Sequence, residues 1–168
     1  MIIWFTGISG VGKTTVAKYT YSRLKKITKN LIHLDGDQLR KMFGNDLGYG
    51  LKDRDKNAER IINLVNLLNK AKINIIVSAN LTSQKYRKFC KKKFRNFFEV
   101  NISSNFKILK RRDKKKIYKN KNLSYVVGFG IKNVKNSTAS YRIINTKSKK
   151  IFFMDANKII KKIEKKIN

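Results

Sequence analysis

The residues Gly7-Ile-Ser-Gly-Val-Gly-Lys-Thr14 (GISGVGKT) follow directly on the apolar run MIIWF. The spacing GxxxxGK[ST], set between a β-type apolar run and a helical pattern, constrains the backbone more than any other stretch of this chain. Gly7, Gly10 and Gly12 let the loop curl so that successive N–H groups point at one centre, and the helix that follows adds its positive amino end. Such a loop cradles phosphate groups, and Ser9, Val11 and Thr15 belong to the same cradle. Lys13 is expected to reach the outer phosphates, and the Thr14 hydroxyl to ligate Mg²⁺.

The rest of the chain supplies a setting for that loop. Apolar runs at 2–6, 30–35, 73–79, 97–102 and 141–145 read as strands, and helical patterns fall near 13–27, 38–44, 53–70, 83–95, 104–112 and 155–167. In the third helix Ile61, Leu64, Val65 and Leu68 recur at helical spacing. Continuous apolar strands separated by helices predict an α/β doubly wound parallel sheet of about five strands, covered on both faces. No break in composition marks a second domain, so residues 1–168 are read as one. The Lys/Asn/Gly-rich stretch within about 111–140 is too long for an idle connection and is expected to be a mobile lid. The closing IIKKIEKKI reads as an amphipathic helix on the sheet, ahead of a basic membrane-surface helix.

Charge separates two readings. The chain carries 41 Lys+Arg against 10 Asp+Glu, a formal +31. Such a field attracts nucleotides, nucleic acids and anionic surfaces alike. The lysines are spread along the whole chain, Ile and Asn are abundant and Pro is absent. That pattern fits codon bias better than a selected stripe, so no specific nucleic-acid partner is expected; a basic nucleic-acid-binding protein that keeps a phosphate-loop fold is the alternative from another class. No apolar run approaches the ~18 residues of a membrane span. One cysteine, Cys90, suits a reducing, cytoplasmic setting. Its basic surroundings in RKFCKKKF could lower its pKa, but a half-buried helix cysteine is the simpler reading. His33, the one histidine, lies inside an apolar strand and reads as a core residue. The acids are more telling: six of the ten (Asp35, Asp37, Asp46, Asp53, Asp55, Glu59) fall within 25 residues.

The second strand ends in LDGDQLR (34–40). In a doubly wound sheet the carboxyl ends of strands face the ligand crevice, which would set Asp35 and Asp37 opposite the phosphate loop. There they could organise Mg²⁺ or take a proton from an attacking hydroxyl. A plain turn and helix cap would explain one of these aspartates but not the pairing with Arg40. Arg54 and Asn57 lie three apart on one helix face. Arg60 reads as a solvated position paired with Asp53, Asp55 or Glu59.

With these residues in view the chain resembles the adenylylsulfate (APS) kinase family. The blocks that carry the resemblance are WFTGISGVGKTT (4–15), LDGDQLR (34–40), DLGYGLKDRDKNAERI (46–61) and RRDKKKIYK (111–119). The resemblance implies a P-loop NTPase-type fold and transfer of the ATP γ-phosphate to the ribose 3′-hydroxyl of adenylyl sulfate, with Mg²⁺, in a homodimer. It implies Asp35 as the base or Mg²⁺-organising carboxylate, with Asp37 in support and Thr14 as a metal ligand. Arg40, Arg54 and Asn57 would hold the acceptor's phosphate and sulfate, and Tyr49 stands where a Phe usually packs on the acceptor base. Arg112, Lys115 and Tyr118 would belong to the lid over the nucleotides.

The match departs from the family on the acceptor side. SANLTSQKYR (78–87) replaces a Ser-Phe-Ile-Ser-Pro type run, and Tyr125-Val-Val-Gly-Phe-Gly130 replaces Asn-Phe-Thr-Gly-Ile-Asp. Val126 thus stands for an aromatic and Gly130 for an acid. Losing one stacking face removes roughly 1–3 kcal/mol, enough to change the base accepted without abolishing anion binding. A Val-Val-Gly lid and a GNDLGY block resemble the capsule-associated cytidine diphosphoramidate kinase branch. The acceptor that the resemblance implies is therefore APS or a CDP-phosphoramidate-like nucleotide.

Overall fold

A computed structural model describes residues 1–113, 117–118, 123–131 and 139–167. Five strands form one parallel sheet: β1 (Ile2–Gly7), β2 (Leu31–Asp35), β3 (Asn74–Ser78), β4 (Phe97–Ser103) and β5 (Tyr141–Ile144), in the spatial order β2-β3-β1-β4-β5. The helices are α1 (Lys13–Leu24), α2 (Gly36–Met42), α3 (Leu51–Lys70), α4 (Gln84–Lys93), α5 (Phe106–Arg112) and α6 (Lys149–Ile167). The α/β sheet with both faces covered is the architecture expected from the alternating pattern.

The central strand explains why the sheet needs two covers. All six residues of β1 are buried, and alternate side chains of a strand point to opposite faces. Ile3 and Phe5 pack with Val16 and Ala17 of α1 and Phe152, Ile160 and Ile163 of α6. Ile2 and Trp4 pack with Ala58, Ile61 and Val65 of α3 and with Cys90 of α4. Trp4 places its indole N–H on Ala79 O at 2.9 Å, so its polar atom is satisfied inside the core. The chain leaves β1 toward the α1 face and leaves β3 toward the α4 face. Neighbouring strands whose connections diverge in this way open a crevice at their carboxyl ends.

Several boundaries differ from the expected ones. Helix α6 starts at Lys149, not 155. The Ser148 hydroxyl accepts from Ile151 N, and the added turns put Phe152 in the core and stack Phe153 on Tyr19 with centroids 4.1 Å apart. Helix α1 stops at Leu24, short of 27, where Asn30 follows in a left-handed conformation (φ 53°) before β2. The apolar face of α6 lies against the sheet and α1. Among the described residues no helix is long and apolar enough to cross a membrane.

Two expectations about single residues are corrected. Cys90 is fully buried, not half-buried, and its thiol is pushed up to about 12, first by burial and second by the charge of Glu99. The surrounding lysines of α4 do not activate it, because their cationic heads stay in solvent. Since the thiolate is the reactive form, iodoacetamide at pH 8 is expected to leave the native protein unlabelled by mass spectrometry and to label it fully once unfolded. His33 is only partly buried, and its ring is hydrogen-bonded to Ser78 rather than packed in the core.

Candidate functional site

The phosphate loop joins β1 to α1 as its glycines require. Gly7, Gly10 and Gly12 have φ values of 141°, 73° and 104°, a region open to glycine and strained for other residues. Ser9, Gly10, Gly12, Lys13, Thr14 and Thr15 line a cavity of about 1040 Å³. Lys13 Nζ donates to Gly7 O at 2.8 Å and Ile8 O at 2.9 Å, which holds the ammonium against the curl of the loop. Two cradle residues do not reach the cavity wall. Val11 is buried in the core cluster, and Gly7 ends β1 with its N–H on Asn80 Oδ1.

Asp35 ends β2 directly across from the loop. Thr14 Oγ1 donates to Asp35 Oδ2 at 2.7 Å, so the glycine cradle and the Asp-Gly-Asp corner open onto one cavity. Ser78 Oγ, at the end of β3, donates to the same oxygen at 2.7 Å. The other oxygen, Oδ1, accepts from the backbone of Asp37 (3.0 Å) and Gln38 (3.2 Å) and so caps α2. One oxygen of the aspartate therefore makes the helix cap, and the other faces the phosphate loop. Burial raises the pKa of Asp35, but the bonds from Thr14, Ser78, Gln38 and Asp37 together outweigh it and hold the group below its ordinary 3.8. Asp37 lies on the cavity wall, exposed, in the first turn of α2.

The far end of the cavity is cationic and aromatic. Arg40, buried on α2, donates to Leu47 O (3.1 Å) and Gly48 O (2.8 Å). Arg54, in the first turns of α3, donates to Tyr49 O and Tyr125 O, each at 2.8 Å. The Tyr49 ring takes both guanidiniums, at 5.0 Å from Arg40 and 5.5 Å from Arg54. Burial and the nearby Arg40 charge both lower the pKa of Arg54, against Tyr49 and Asp37. Two cations held this close favour an anion beside them. Asn57 is buried on the same wall; its Oδ1 has no hydrogen-bond partner among the described residues. Arg60, by contrast, makes a two-pronged contact with Asp46 (2.7 and 2.6 Å), not with the acids expected from its own helix. It braces the 46–50 loop from outside.

Arg111 and Arg112 of α5, with Ile117, Tyr118, Tyr125 and Val126, also line the cavity. Arg112 donates to Asn145 Oδ1 at 3.0 Å and Lys147 O at 2.7 Å. Tyr118 packs against Phe106 and Phe129 and gives its hydroxyl proton to Ser9 O. Asp113 secures it by accepting from the backbone of Ile117 and Tyr118. Val126 lines the cavity beside Tyr125, and Lys115 lies outside the described residues. A Cβ on Gly130 would stand 2.2 Å from Ser124 O, so this backbone has no room for a side chain there.

Sequence reasoning missed several wall residues, among them Asn145, Ser78, Asn80 and Tyr125. Asn145 ties Arg112 to the phosphate loop, since its Nδ2 donates to Val11 O at 2.9 Å. Ser78 and Asn80 continue β3 into the cavity, and Tyr125 faces Tyr49 across the Arg54 contact. Ser78 and Asn145 sit at strand ends, which was a usable signal; nothing local singles out Tyr125.

The donor set suits Mg²⁺. Thr14 Oγ1 and Asp35 Oδ2 are hard oxygens at one point of the cavity wall. Among the described residues no group of three or more His, Cys, Asp or Glu could hold a metal. One or two protein oxygens beside phosphate and water are what Mg²⁺ ordinarily takes.

The family model for adenylylsulphate kinase matches residues 1–140. The chain is 36% identical over 121 residues to the adenylyl-sulfate kinase of Buchnera aphidicola, covering 71% of this chain and 59% of that protein. It is 35% identical over 133 residues to the cytidine diphosphoramidate kinase of Campylobacter jejuni, covering 77% and 78%. The structure of the Mycobacterium tuberculosis APS kinase in complex with AMPPNP and APS superposes with a TM-score of 0.80 at 28% identity, over 97% of this chain and 96% of that one. With the phosphate loop, the Asp35 corner and the arginine pair on one cavity, the chain belongs to the adenylylsulphate kinase family.

Proposed function

We propose that this protein is an ATP-dependent kinase that phosphorylates the ribose 3′-hydroxyl of a small nucleotide, with adenylyl sulfate as the first acceptor to test. The observation that carries the reading is the shared cavity of about 1040 Å³, onto which the phosphate loop, the Asp35 corner and the Arg40–Arg54 pair all open. In this reading Ser9, Gly10, Gly12, Lys13, Thr14 and Thr15 hold the ATP phosphates through backbone N–H groups and the Lys13 ammonium, while Gly7 and Val11 shape the loop from behind the cavity wall. Arg112, on the cavity wall, would face the same nucleotide. Thr14 and Asp35 would hold Mg²⁺, which when bound neutralises charge on the phosphates. Asp35, assisted by Asp37, orients the acceptor hydroxyl. Its lowered pKa makes it a better ionised anchor than a proton store. Arg40, Arg54 and Asn57 would grip the acceptor's anion, with Tyr49 and Val126 at its base. The family resemblance supports a homodimer, which sedimentation would test.

A second acceptor has its own support. The Campylobacter relative aligns over more than three quarters of both chains, whereas the alignment spans only 59% of the Buchnera protein. Cytidine diphosphoramidate is therefore the alternative substrate. Purified protein with ATP and Mg²⁺ should phosphorylate one of the two; turnover of neither would refute the proposal. Arg40→Lys keeps the charge but loses the planar fork that bonds two carbonyls and an anion together. It should lower kcat/KM for the acceptor ~10–100-fold, equivalent to one charged hydrogen bond, with KM for ATP little changed in steady-state assays.

A further inference from the structure

The Asp35 carboxylate is held from the strand side by a chain of donors that begins at His33. Strands β2 and β3 pair with Asp35 opposite Ser78 and His33 opposite Ile76. His33 and Asp35, two apart on one strand, share a face, and Ser78 bridges them. His33 Nε2 lies 2.9 Å from Ser78 Oγ, and Ser78 Oγ lies 2.7 Å from Asp35 Oδ2. Proton counting gives this chain a direction. A hydroxyl has one proton, and that of Ser78 is committed to a carboxylate which has none to give. The contact with His33 is then a donation from Nε2–H to Ser78 Oγ, which selects one imidazole tautomer and stops the hydroxyl from rotating away.

We infer that His33 is a positioning residue for Asp35, acting through the Ser78 hydroxyl. This rests on the reading of Asp35 as the group that orients the acceptor. Thr14 also bonds Oδ2, but from the phosphate loop, whereas Ser78 is buried on β3 and holds that oxygen from the sheet. Without His33 the Ser78 hydroxyl keeps its place and loses its fixed direction, so Oδ2 gains freedom where the acceptor hydroxyl would sit. The charged groups that act on the imidazole are Asp35 on its own strand and Lys18 on α1; the neighbouring strand offers the neutral Ser78.

Two measurements test this. The chain has a single histidine, so long-range ¹H–¹⁵N NMR of the full protein at neutral pH reads this imidazole without assignment. The expected result is a protonated Nε2 and a bare Nδ1, with the Nε2 proton exchanging faster in Ser78→Ala. A bare Nε2 would overturn the inference. In turnover assays His33→Val should lower kcat ~3–10-fold, the effect of one neutral hydrogen bond, with KM for ATP unchanged. His33→Gln, which can return an N–H to Ser78, should recover most of the loss. Adding His33→Val to Ser78→Ala should cost nothing further, because the two act in series. Losses that multiply, or a change carried by KM for ATP, would overturn it. Should the unaltered protein phosphorylate neither acceptor, the proposed function fails while the tautomer still decides the inference.

Discussion

Asp35→Asn is expected to lower turnover by ~10²–10⁴-fold, the range for a positioned acid–base or orienting group, while ATP binding by equilibrium titration stays close to that of the unaltered protein. The asparagine oxygen can still accept from Asp37 N and Gln38 N, so the cap on α2 survives. The hydroxyls of Thr14 and Ser78 can turn to accept from the new amide. What is lost is the negative charge at the point where the two halves of the cavity meet. Asp35→Ala should show the same loss of turnover and, in addition, lose about 1 kcal/mol of stability with the cap. Comparing the two variants separates the chemistry of the carboxylate from its structural work. Near-normal rates in Asp35→Asn would remove Asp35 from the mechanism. Acid unfolding offers an independent check. The native pKa lies below the ordinary 3.8, so the ionised group stabilises the fold at all pH values above that. The advantage over Asp35→Asn is full at neutral pH and lost as pH falls through the lowered native value.

The largest effect on stability is expected away from the cavity, beneath the sheet. Arg87 of α4 and Glu99 of β4 are 1% and 0% exposed and meet at 2.7 Å. Glu99 Oε1 also accepts from Thr6 Oγ1 at 2.9 Å, and Arg87 Nε donates to Leu81 O at 2.9 Å. The ion contact is close but poorly angled, and Arg87 Nη1 and Glu99 Oε2 make no hydrogen bond among the described residues. Burial lowers the pKa of Arg87, and the charge of Glu99 opposes this. A pair with this geometry adds little to stability, because desolvation offsets the attraction. Removing one partner is another matter, since it strands the other charge in the core. Arg87→Met should cost ~3–5 kcal/mol in urea unfolding. Joining it with Glu99→Leu should recover most of that, as the second change removes the stranded carboxylate. A single variant as stable as the unaltered chain would show that water reaches Glu99.

The two effects illustrate where sequence reading succeeds and where it stops. Residues within one loop or one helix turn were readable. The GISGVGKT loop demands left-handed glycines wherever it occurs, and the Asp-Gly-Asp corner places its carboxylate by capping the helix it begins. Arg54 and Asn57 share a face because a helix turns 3.6 residues at a time. In each case the geometry is set by neighbours a few bonds away. Contacts between strands were not readable in this way. The FFEVNI run hides a buried glutamate whose partner, Arg87, belongs to a helix that looks like one more basic surface. The bond from Ser78 to Asp35 depends on the register of β2 against β3, and a slip of one residue would send both side chains to opposite faces. Asn145 reaches the phosphate loop across 134 residues of chain. His33 looked like core because its strand is apolar, yet its ring faces a hydroxyl supplied by the neighbouring strand. Local stereochemistry therefore settled the phosphate loop, the capped aspartate and the alternation of strand and helix. Strand register and packing, which sum weak contacts over the whole chain, settled which polar groups meet inside.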